Sequence, residues 1–309
     1  MGSPMNKNPL HWLIVITGPT AAGKTSIAVS IAHHLKTAII SADSRQFYSE
    51  MCIGTARPSV DEMDAIPHYF SGNMSVSDYY NVSRYERNVL NKLDELFAVS
   101  SFVVMAGGSG LYINAVCHGI DDLPDADENL RKTLNQLKHT AGIIALQHQL
   151  LELDPVYYHQ VDLSNPKRLI RALEICINTG LPYSSLRKNK PVERPFKIVK
   201  IGLNLPKEDL HQRIVRRVDT MMQKGLLEEA RRLYPFRELN ALNTVGYREL
   251  FDYFDGTTTL NEAVGKIKSN TRRYAKRQLT WFKKDKEITW FHPDDLSLIL
   301  DFIHDKSTT

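Results

Sequence analysis

The stretch GPTAAGKT, residues 18–25, directly follows the apolar run WLIVIT and precedes a helical pattern. It matches the phosphate-binding loop, a glycine and four residues followed by Gly-Lys-Thr, in the context of strand and helix that the loop requires. The glycines permit a tight wrap whose backbone N–H groups face an anion at a helix N-terminus. The Lys24 ammonium would add a full positive charge, and the Thr25 hydroxyl is placed to ligate Mg²⁺. The pattern therefore predicts a bound nucleotide or another diphosphate.

Apolar runs typical of buried parallel strands alternate with helical patterns along the chain. The predicted strands are residues 12–17, 38–42, 102–106, 196–203 and, more weakly, 287–291, and the first helix covers 24–35. This alternation indicates an α/β fold, a P-loop NTPase-like parallel sheet flanked by helices.

Residues 121–193 show several helical patterns and no strand pattern. One helix is well delimited, with Asn165 as N-cap, Pro166 in the first helical position and Gly180 after the end. We interpret 121–193 as an inserted all-helical domain. Residues 5–120 and 194–309 would form the α/β core with a helical C-terminal part.

Composition argues against several classes of protein. The three cysteines are far apart without a CxxC pair, which indicates neither a disulfide framework nor a zinc site. The apolar run near the N-terminus is too short for a membrane span. We expect a cytoplasmic protein without membrane association, and a monomer because the fold interpretation needs one chain.

Asp43 follows the second predicted strand. If that strand lies beside the P-loop strand, Asp43 emerges at the phosphate site. It would then either help to hold Mg²⁺ or act as a general base on a substrate held against the diphosphate. The strand at 102–106 ends in Gly107-Gly108, where a motor ATPase or GTPase would normally have a carboxylate. This favours a loop built for the close approach of a substrate.

Two basic patterns suit different phosphates. Arg213 and Arg217 share one helical face, and guanidinium groups suit bidentate contact with a diphosphate. Residues 266–286 contain nine Lys or Arg against one Asp. One helical face would carry Arg273, Arg277, Trp281 and Lys284, and the aromatic residues Tyr274, Trp281 and Phe282 are interleaved. Such a run is often a solvated helix face, but it also suits RNA phosphates and base stacking.

Six ordered segments, GPTAAGKT, DSRQFYSEMCIGTARP, GGSGLY, RLIRALE, TVGYREL and TRRYAKRQLTWF, closely resemble the bacterial tRNA dimethylallyltransferases. The resemblance covers residues 12–290. It implies transfer of a dimethylallyl group from its diphosphate to the N6 amine of the adenosine 3′ to the tRNA anticodon. The implied partners are dimethylallyl diphosphate, the anticodon stem-loop and Mg²⁺.

The resemblance also assigns roles by motif position. The diphosphate would be bound by Gly18, Pro19, Thr20, Ala21, Ala22, Gly23, Lys24 and Thr25, with Mg²⁺ on Thr25. Asp43 would be the general base, with Lys24, Thr25 and Arg217 completing the catalytic set. The residues implied for tRNA are Asp43, Ser44, Arg45, Gln46, Ser109, Arg131, Lys167, Arg168, Leu169, Ile170, Arg171, Thr244, Val245, Gly246, Tyr247, Arg248 and Glu249. Arg273 and Arg277 join this set because of the basic helical face.

Some positions depart from the family pattern. Ser109 stands where threonine is usual, which retains a hydroxyl. The segment before Lys167 lacks the usual His-Pro-Asn-Asp, so contacts from 162–165 are not inferred. Three other functions stay open: a nucleoside-monophosphate kinase, an adenylate isopentenyltransferase acting on free AMP, and a non-catalytic RNA-binding module.

Overall fold

The computed structural model describes residues 10–121, 123–125, 127–188 and 190–308. Its strands in chain order are β1 (Trp12–Thr17), β2 (Ile39–Ser41), β3 (His68–Tyr69), β4 (Phe102–Ala106), β5 (Lys197–Leu203) and β6 (Ile288–Phe291). They form one sheet of order β3-β2-β4-β1-β5-β6, in which each pair is parallel. The five predicted strands are confirmed to within one residue at each end.

The α-helices in chain order are α1 (Lys24–Leu35), α2 (Val60–Met63), α3 (Val82–Phe97), α4 (Gly110–His118), α5 (Glu128–Leu153), α6 (Pro155–Tyr158), α7 (Pro166–Thr179), α8 (Tyr183–Leu186), α9 (Lys207–Gln223), α10 (Leu226–Leu233), α11 (Tyr247–Phe254), α12 (Leu260–Phe282) and α13 (Leu296–Thr308). Short 3₁₀ helices cover Tyr234–Phe236 and Asn240–Leu242. α5 is interrupted at Gly142, which has φ 79°. α1 has the predicted bounds, and α7 begins and ends at the predicted caps, Asn165 and Gly180.

One prediction about strand order is wrong. β2 does not lie beside β1, because β4 pairs with both and separates them. β1 is buried along its whole length and pairs with β4 and β5, the longer strands, whereas β2 has only three residues. Strand order is set by these nonlocal pairings, which apolar runs alone do not reveal. β3, two residues at the sheet edge, gave no recognisable pattern and was missed.

Helices cover both faces of the sheet. On one face, α3 buries Tyr85, Val89, Leu93 and Phe97, which recur every four residues and pack with Leu13 and neighbouring strand residues. On the other face, α1 and α13 pack against the alternate positions of the same strands. The C-terminal helices α9 to α12 form a further apolar cluster with residues from the 48–53 segment.

The chain divides into two compact units. The first is formed by the chain up to His118 and from Glu193 onward, and the second is Gly119–Val192. The sequence placed the inserted domain at 121–193. The described part of the second unit is helical, with a core that includes Leu146, Leu150 and Leu169.

Candidate active site

The phosphate loop joins β1 to α1 with strained but ordered backbone. Gly18 has φ 141°, and a Cβ there would lie 2.5 Å from the carbonyl oxygen of Leu203 on β5. Gly23 has φ 91° and precedes the first residue of α1. Both positions need glycine because their φ is positive, and Gly18 needs it also because β5 approaches closely. The loop amides lie at the N-terminus of α1, where an anion is favoured.

The Lys24 side chain folds back onto the phosphate loop and is hydrogen-bonded to its backbone. Its Nζ donates to the carbonyl oxygens of Gly18 at 3.0 Å and Pro19 at 2.7 Å. Burial lowers the pKa of Lys24 from its ordinary value of 10.5 to about 8, and the positive charge of Arg217 acts in the same direction. The carboxylate of Asp43 opposes this shift. The ammonium is thus held in a desolvated position, where its charge acts strongly on any bound anion.

Asp43 reaches the phosphate loop although β2 is not adjacent to β1. It follows β2 closely, and its Oδ1 accepts a hydrogen bond from the backbone N–H of Arg45 at 3.0 Å. The next residue, Ser44, donates its N–H to Oγ of Ser109 at 2.9 Å, and the two hydroxyls lie 3.2 Å apart. Ser109 therefore ties the segment after β2 to the segment after β4, and this junction positions Asp43.

The two glycines after β4 are required by packing within the protein. A Cβ on Gly107 would lie 2.2 Å from the carbonyl oxygen of Ala42, and one on Gly108 would lie 2.3 Å from Nε2 of Gln278. The glycines accommodate the protein's own backbone and side chain. The expectation that this loop also allows the close approach of a substrate stays a prediction.

Two arginines of α9 point to the loop region. Arg217 is partly buried, and its Nη2 lies 3.4 Å from the carbonyl oxygen of Thr55. Burial lowers the pKa of Arg217, and the carboxylate of Asp43 opposes this shift. Arg213 lies one turn earlier, and its Nη1 is 3.6 Å from where a Cβ on Gly23 would lie. The sequence placed both on one face, but only Arg217 was assigned to the diphosphate. The structure adds Arg213 as a candidate.

A cleft that is partly open to solvent brings several of the predicted groups together. Residues of six chain segments line it: Thr20, Asp43, Arg45, Gly54, Thr55, Arg217, Val218, Met221, Thr244, Val245, Gly246, Ile267, Thr271 and Tyr274. One part of the wall is polar and charged, and Val218, Met221 and Ile267 provide an apolar part. Of the residues implied by the resemblance, Thr20, Asp43, Arg45, Arg217 and residues 244–246 meet here.

Several cleft residues were missed by sequence reasoning. Gly54 and Thr55 belong to the CIGTARP part of a motif that supported the resemblance, so a signal was present. Tyr274 was noted only as an aromatic residue on the basic helix, but it is largely buried against the cleft and burial raises the pKa of its hydroxyl. Val218, Met221 and Ile267 look in sequence like any core residue of an amphipathic helix.

A buried carboxylate supports the 52–55 segment. Glu229 of α10 accepts the N–H groups of Cys52 at 3.0 Å, Ile53 at 2.8 Å and Gly54 at 2.8 Å. It also accepts the hydroxyl of Tyr247 at 2.7 Å. Tyr247 was implied as a tRNA contact, and its side chain is fully buried. Glu229 connects two walls of the cleft, the 52–55 segment and the start of α11.

Other residues implied for tRNA in the first unit differ in availability. Gln46 donates its Nε2 to the carbonyl oxygens of Thr55 and Ala56, both at 3.2 Å, so its amide is used within the protein. Arg45 donates Nη1 to the carbonyl oxygen of Asn240 at 2.9 Å. Two further residues implied for tRNA lie in α11, outside the cleft lining. Arg248 is exposed, whereas Glu249 is buried and accepts the N–H of Gly246.

The basic face of α12 is present as the sequence described it. Arg273, Arg277 and Trp281 are exposed, and Lys284 just after the helix is exposed as well. The Arg277 guanidinium lies 5.9 Å from the centre of the Tyr274 ring, which links this face to the cleft wall. Their role in RNA binding stays a prediction.

The residues implied for tRNA in the second unit divide between surface and core. Arg131 makes a bidentate ion pair with the buried Glu174, at 2.5 and 2.7 Å, and Arg171 approaches the same carboxylate at 3.4 Å. Lys167 and Arg168 are exposed in the first turn of α7. The side chains of Leu169 and Ile170 are buried in the unit's core, so they support α7 from within. The contacts of this set with RNA stay a prediction.

The described residues offer neither a ready-made metal site nor a membrane-spanning helix. Within the described ranges, no group of three or more His, Cys, Asp or Glu side chains is placed to hold a metal ion. No described helix has both the length and the apolar character needed to cross a membrane.

Comparison with known proteins places this chain in a family. Residues 46–285 match the family model described as IPP transferase. The chain is 54% identical over 300 residues to a tRNA dimethylallyltransferase of Christiangramia forsetii, covering 97% of this chain and 99% of the relative. It is 52% identical over 292 residues to tRNA dimethylallyltransferase 1 of Phocaeicola vulgatus, covering 94% and 97%.

Solved structures agree. The tRNA isopentenylpyrophosphate transferase of Bacillus halodurans superposes with a TM-score of 0.72 at 37% identity, covering 96% of this chain and 97% of that one. A eukaryotic dimethylallyltransferase acting on tRNA superposes with a TM-score of 0.76, covering 93% and 75%, and at 24% identity it supports the fold alone. On the extent and identity of these matches, the chain belongs to the tRNA dimethylallyltransferase family.

Proposed function

We propose that the protein transfers a dimethylallyl group from dimethylallyl diphosphate to the N6 amine of the adenosine 3′ to the tRNA anticodon. The observation that carries this proposal is the cleft in which Asp43, Arg217 and the phosphate loop meet. The cleft is lined by the Asp43 carboxylate, the Arg217 guanidinium and Thr20 of the phosphate loop, and an apolar wall lies beside them. The Lys24 ammonium of the same loop interacts electrostatically with Asp43. This combination suits a substrate that has an anionic leaving group and an apolar tail.

Asp43 supplies the base. The exocyclic amine of adenine is a poor nucleophile because its lone pair is delocalised into the ring. As the new N–C bond forms and the allylic C–O bond breaks, one amine proton must leave, and the Asp43 carboxylate accepts it. A positioned base of this kind contributes roughly 10²–10⁴-fold to rate.

The leaving diphosphate is stabilised by cations that already lie in the cleft region. Lys24 exchanges its two carbonyl partners for phosphate oxygens, and Arg217 approaches from α9. The loop amides at the N-terminus of α1 add further donors. Because Lys24 and Arg217 are partly buried, their effect on the developing negative charge is greater than in water.

Mg²⁺ is proposed to accompany the diphosphate. The Thr25 hydroxyl at the start of α1 is an oxygen donor of the kind that Mg²⁺ accepts together with phosphate oxygens and water. When bound, the ion would neutralise part of the charge on the leaving group. Asp43 is the nearest carboxylate in the cleft lining and stays assigned to the proton.

The prenyl tail is proposed to lie against the apolar wall formed by Val218, Met221 and Ile267. These side chains come from α9 and α12 and line the same cleft as Asp43 and Arg217. Contact with apolar surface removes the five-carbon tail from water. It also holds the allylic carbon between the phosphate loop and the base.

The RNA has to present one base outside its stack. An adenosine inside the anticodon loop becomes accessible to a cleft only when it is flipped out. Single-stranded loops suit this mode of recognition, because their bases can be splayed and read separately. The exposed arginines of α12 are proposed to contact phosphates of the anticodon stem-loop, with Lys167 and Arg168 as further candidates in the second unit.

A transfer assay tests the proposal. Labelled dimethylallyl diphosphate and Mg²⁺ are supplied with unmodified tRNA or with free AMP in parallel, and ATP consumption is followed separately. Label in the tRNA alone is the expected result. Label in AMP would assign the protein to the free-nucleotide enzymes, and ATP consumption without transfer would indicate a kinase.

A second measurement isolates the base. Asp43→Asn keeps the size of the side chain and removes its basicity. We expect turnover to fall by about 10²-fold or more with tRNA affinity retained. Normal turnover with lost tRNA affinity would remove Asp43 from the proton transfer and make it an RNA contact.

A further inference from the structure

One buried amide on α12 bridges the two loops that form the diphosphate end of the site. Gln278 is 6% exposed, although the residue before it, Arg277, lies on the exposed face. Its inward direction follows helical spacing, because Ala275 and Phe282, three residues before and four after, are also buried. A buried primary amide requires hydrogen-bond partners for its oxygen and its nitrogen.

Both ends of the amide are used. Oε1 accepts the backbone N–H of Thr20 in the phosphate loop at 2.8 Å. Nε2 donates to the carbonyl oxygen of Gly108 after β4 at 2.9 Å. A glutamate in this position would lack the donor and a lysine would lack the acceptor. The contact is also close: a Cβ on Gly108 would lie 2.3 Å from Nε2, so a side chain there would displace the end of Gln278.

The bond to Thr20 has a consequence for Lys24. The N–H of Thr20 and the carbonyl of Pro19 belong to the same peptide group, and in a trans peptide they point in opposite directions. Gln278 holds the N–H, so the carbonyl of Pro19 faces the other way, where it accepts Nζ of Lys24 at 2.7 Å. The orientation of this one peptide therefore connects α12 to the lysine of the phosphate loop.

We propose that Gln278 is a positioning residue for diphosphate binding, which acts on Lys24 through the Pro19–Thr20 peptide. The proposal rests on the proposed function in taking the loop's ligand to be a diphosphate. Without the amide, the N–H side of this peptide loses its partner, and only the carbonyl side stays held, by the Ala22 N–H at 3.3 Å and by Lys24. The position of the Lys24 ammonium is then less strictly defined. Gln278 does not contact the RNA face of α12, so its loss leaves the exposed arginines of that helix in place.

The test measures binding of inorganic pyrophosphate with Mg²⁺ by calorimetry, which needs no turnover. Gln278→Met removes both hydrogen bonds at similar volume. The matched control is Gln223→Met, the same change at an exposed position of α9. Two lost hydrogen bonds correspond to about 10-fold weaker pyrophosphate binding. Affinity for an anticodon stem-loop RNA is expected to stay within about 2-fold, a factor that corresponds to well under 1 kcal/mol.

A second variant tests the same contact in case Gln278→Met folds poorly. Gly108→Ala introduces a methyl group that displaces the flexible end of Gln278 and leaves the glutamine in the chain. It should weaken pyrophosphate binding in the same direction. In steady-state assays, both variants should raise KM for dimethylallyl diphosphate more than KM for tRNA. A purely structural role would instead lower thermal stability and affect both substrates alike.

The outcomes separate this proposal from the proposed function. If the wild type transfers dimethylallyl groups to tRNA but Gln278→Met binds pyrophosphate like Gln223→Met, the positioning role is overturned and the function stands. If the wild type transfers nothing to RNA but Gln278→Met still loses pyrophosphate affinity, the positioning role stands and the proposed function fails. Equal losses of RNA and pyrophosphate affinity would overturn the role as well.

Discussion

The carboxylate of Glu229 offers a quantitative test of how the cleft is built. It is 2% exposed and accepts four hydrogen bonds, three from the consecutive N–H groups of residues 52–54 and one from the hydroxyl of Tyr247. Each carboxylate oxygen accepts two of them. Glu229→Gln keeps the shape and replaces one oxygen with an NH₂ group. We expect this change to destabilise the protein and to disorder the 52–55 segment.

The magnitude follows from the donors that lose their acceptor. If the NH₂ group faces Gly54 and Tyr247, the tyrosine hydroxyl can rotate to accept, but the N–H of Gly54 is left unpaired. If the NH₂ group faces Cys52 and Ile53, the N–H groups of these two residues lose their acceptor. A buried donor without a partner costs about 1–3 kcal/mol, and the remaining bonds lose their charge assistance. We therefore expect the free energy of unfolding to fall by about 2–4 kcal/mol.

The assay is urea denaturation followed by circular dichroism, with kcat/KM measured on the folded enzyme. Glu228→Gln is the matched control, since it removes the same charge from an exposed neighbour and should change stability by no more than about 0.5 kcal/mol. Tyr247→Phe removes one of the four bonds, and a double-mutant cycle with Glu229→Gln should show coupling of about 1 kcal/mol. If Glu229→Gln matches Glu228→Gln in both stability and kcat/KM, the reasoning is refuted.

Three further predictions concern the loop, the RNA face and the cleft wall. Burial lowers the pKa of Lys24 from 10.5 to about 8. Below pH 8 the charged lysine therefore lowers the free energy of unfolding of the ligand-free protein by its full amount. This destabilisation decreases as the pH rises from 8 to 10.5. In metal-free buffer, unfolding free energies of wild type relative to Lys24→Met should therefore rise by about 1 kcal/mol from pH 7 to pH 9, and a constant difference would contradict the shift. Replacing Arg273 and Arg277 with alanine should weaken stem-loop binding and flatten the slope of log K against log salt by about one to two, whereas an unchanged slope would remove this face from the RNA interface. Gly54→Ala would bring a methyl group to 2.6 Å from the ring of the buried tyrosine of α11 and should cost about 1–3 kcal/mol in thermal denaturation. Gly265→Ala, with open space around it on α12, should be neutral or stabilising, and equal losses in the two alanine variants would contradict the packing explanation.

Local patterns predicted a large part of the fold. The strands of the sheet were recognised because a fully buried parallel strand is a continuous apolar run, as in residues 12–17. α7 was delimited because Asn165, Pro166 and Gly180 each satisfy a local requirement of a helix end. β3 was missed because two residues at an edge carry no periodicity. The expectation that β2 lies beside β1 was wrong, because strand order depends on nonlocal pairing across the whole sheet, and β4 pairs with both strands.

The site was predicted by residue type and completed only in three dimensions. The phosphate loop, Asp43 and Arg217 each had a recognisable chemical pattern or family motif. Arg213 shared the helical face of Arg217, but nothing local showed that its guanidinium approaches Gly23. Tyr247 and Gln46, implied as RNA contacts, are hydrogen-bonded within the protein to Glu229 and to the 55–56 backbone, and their contact with RNA stays a prediction. Their inward direction depends on partners far away in the chain.

The sequence by itself determined which groups this protein brings to its chemistry: a loop for a diphosphate, a carboxylate after a strand and a basic helical face. These groups are recognised by residue type and by short spacing along the chain, and both can be read from the sequence. Only the tertiary structure decided how the groups are held. Glu229 contacts residues more than 170 positions away, and Gln278 reaches the phosphate loop across 258 positions. Such contacts form because the folded chain must pair each polar group that it buries, and that requirement acts on the whole structure.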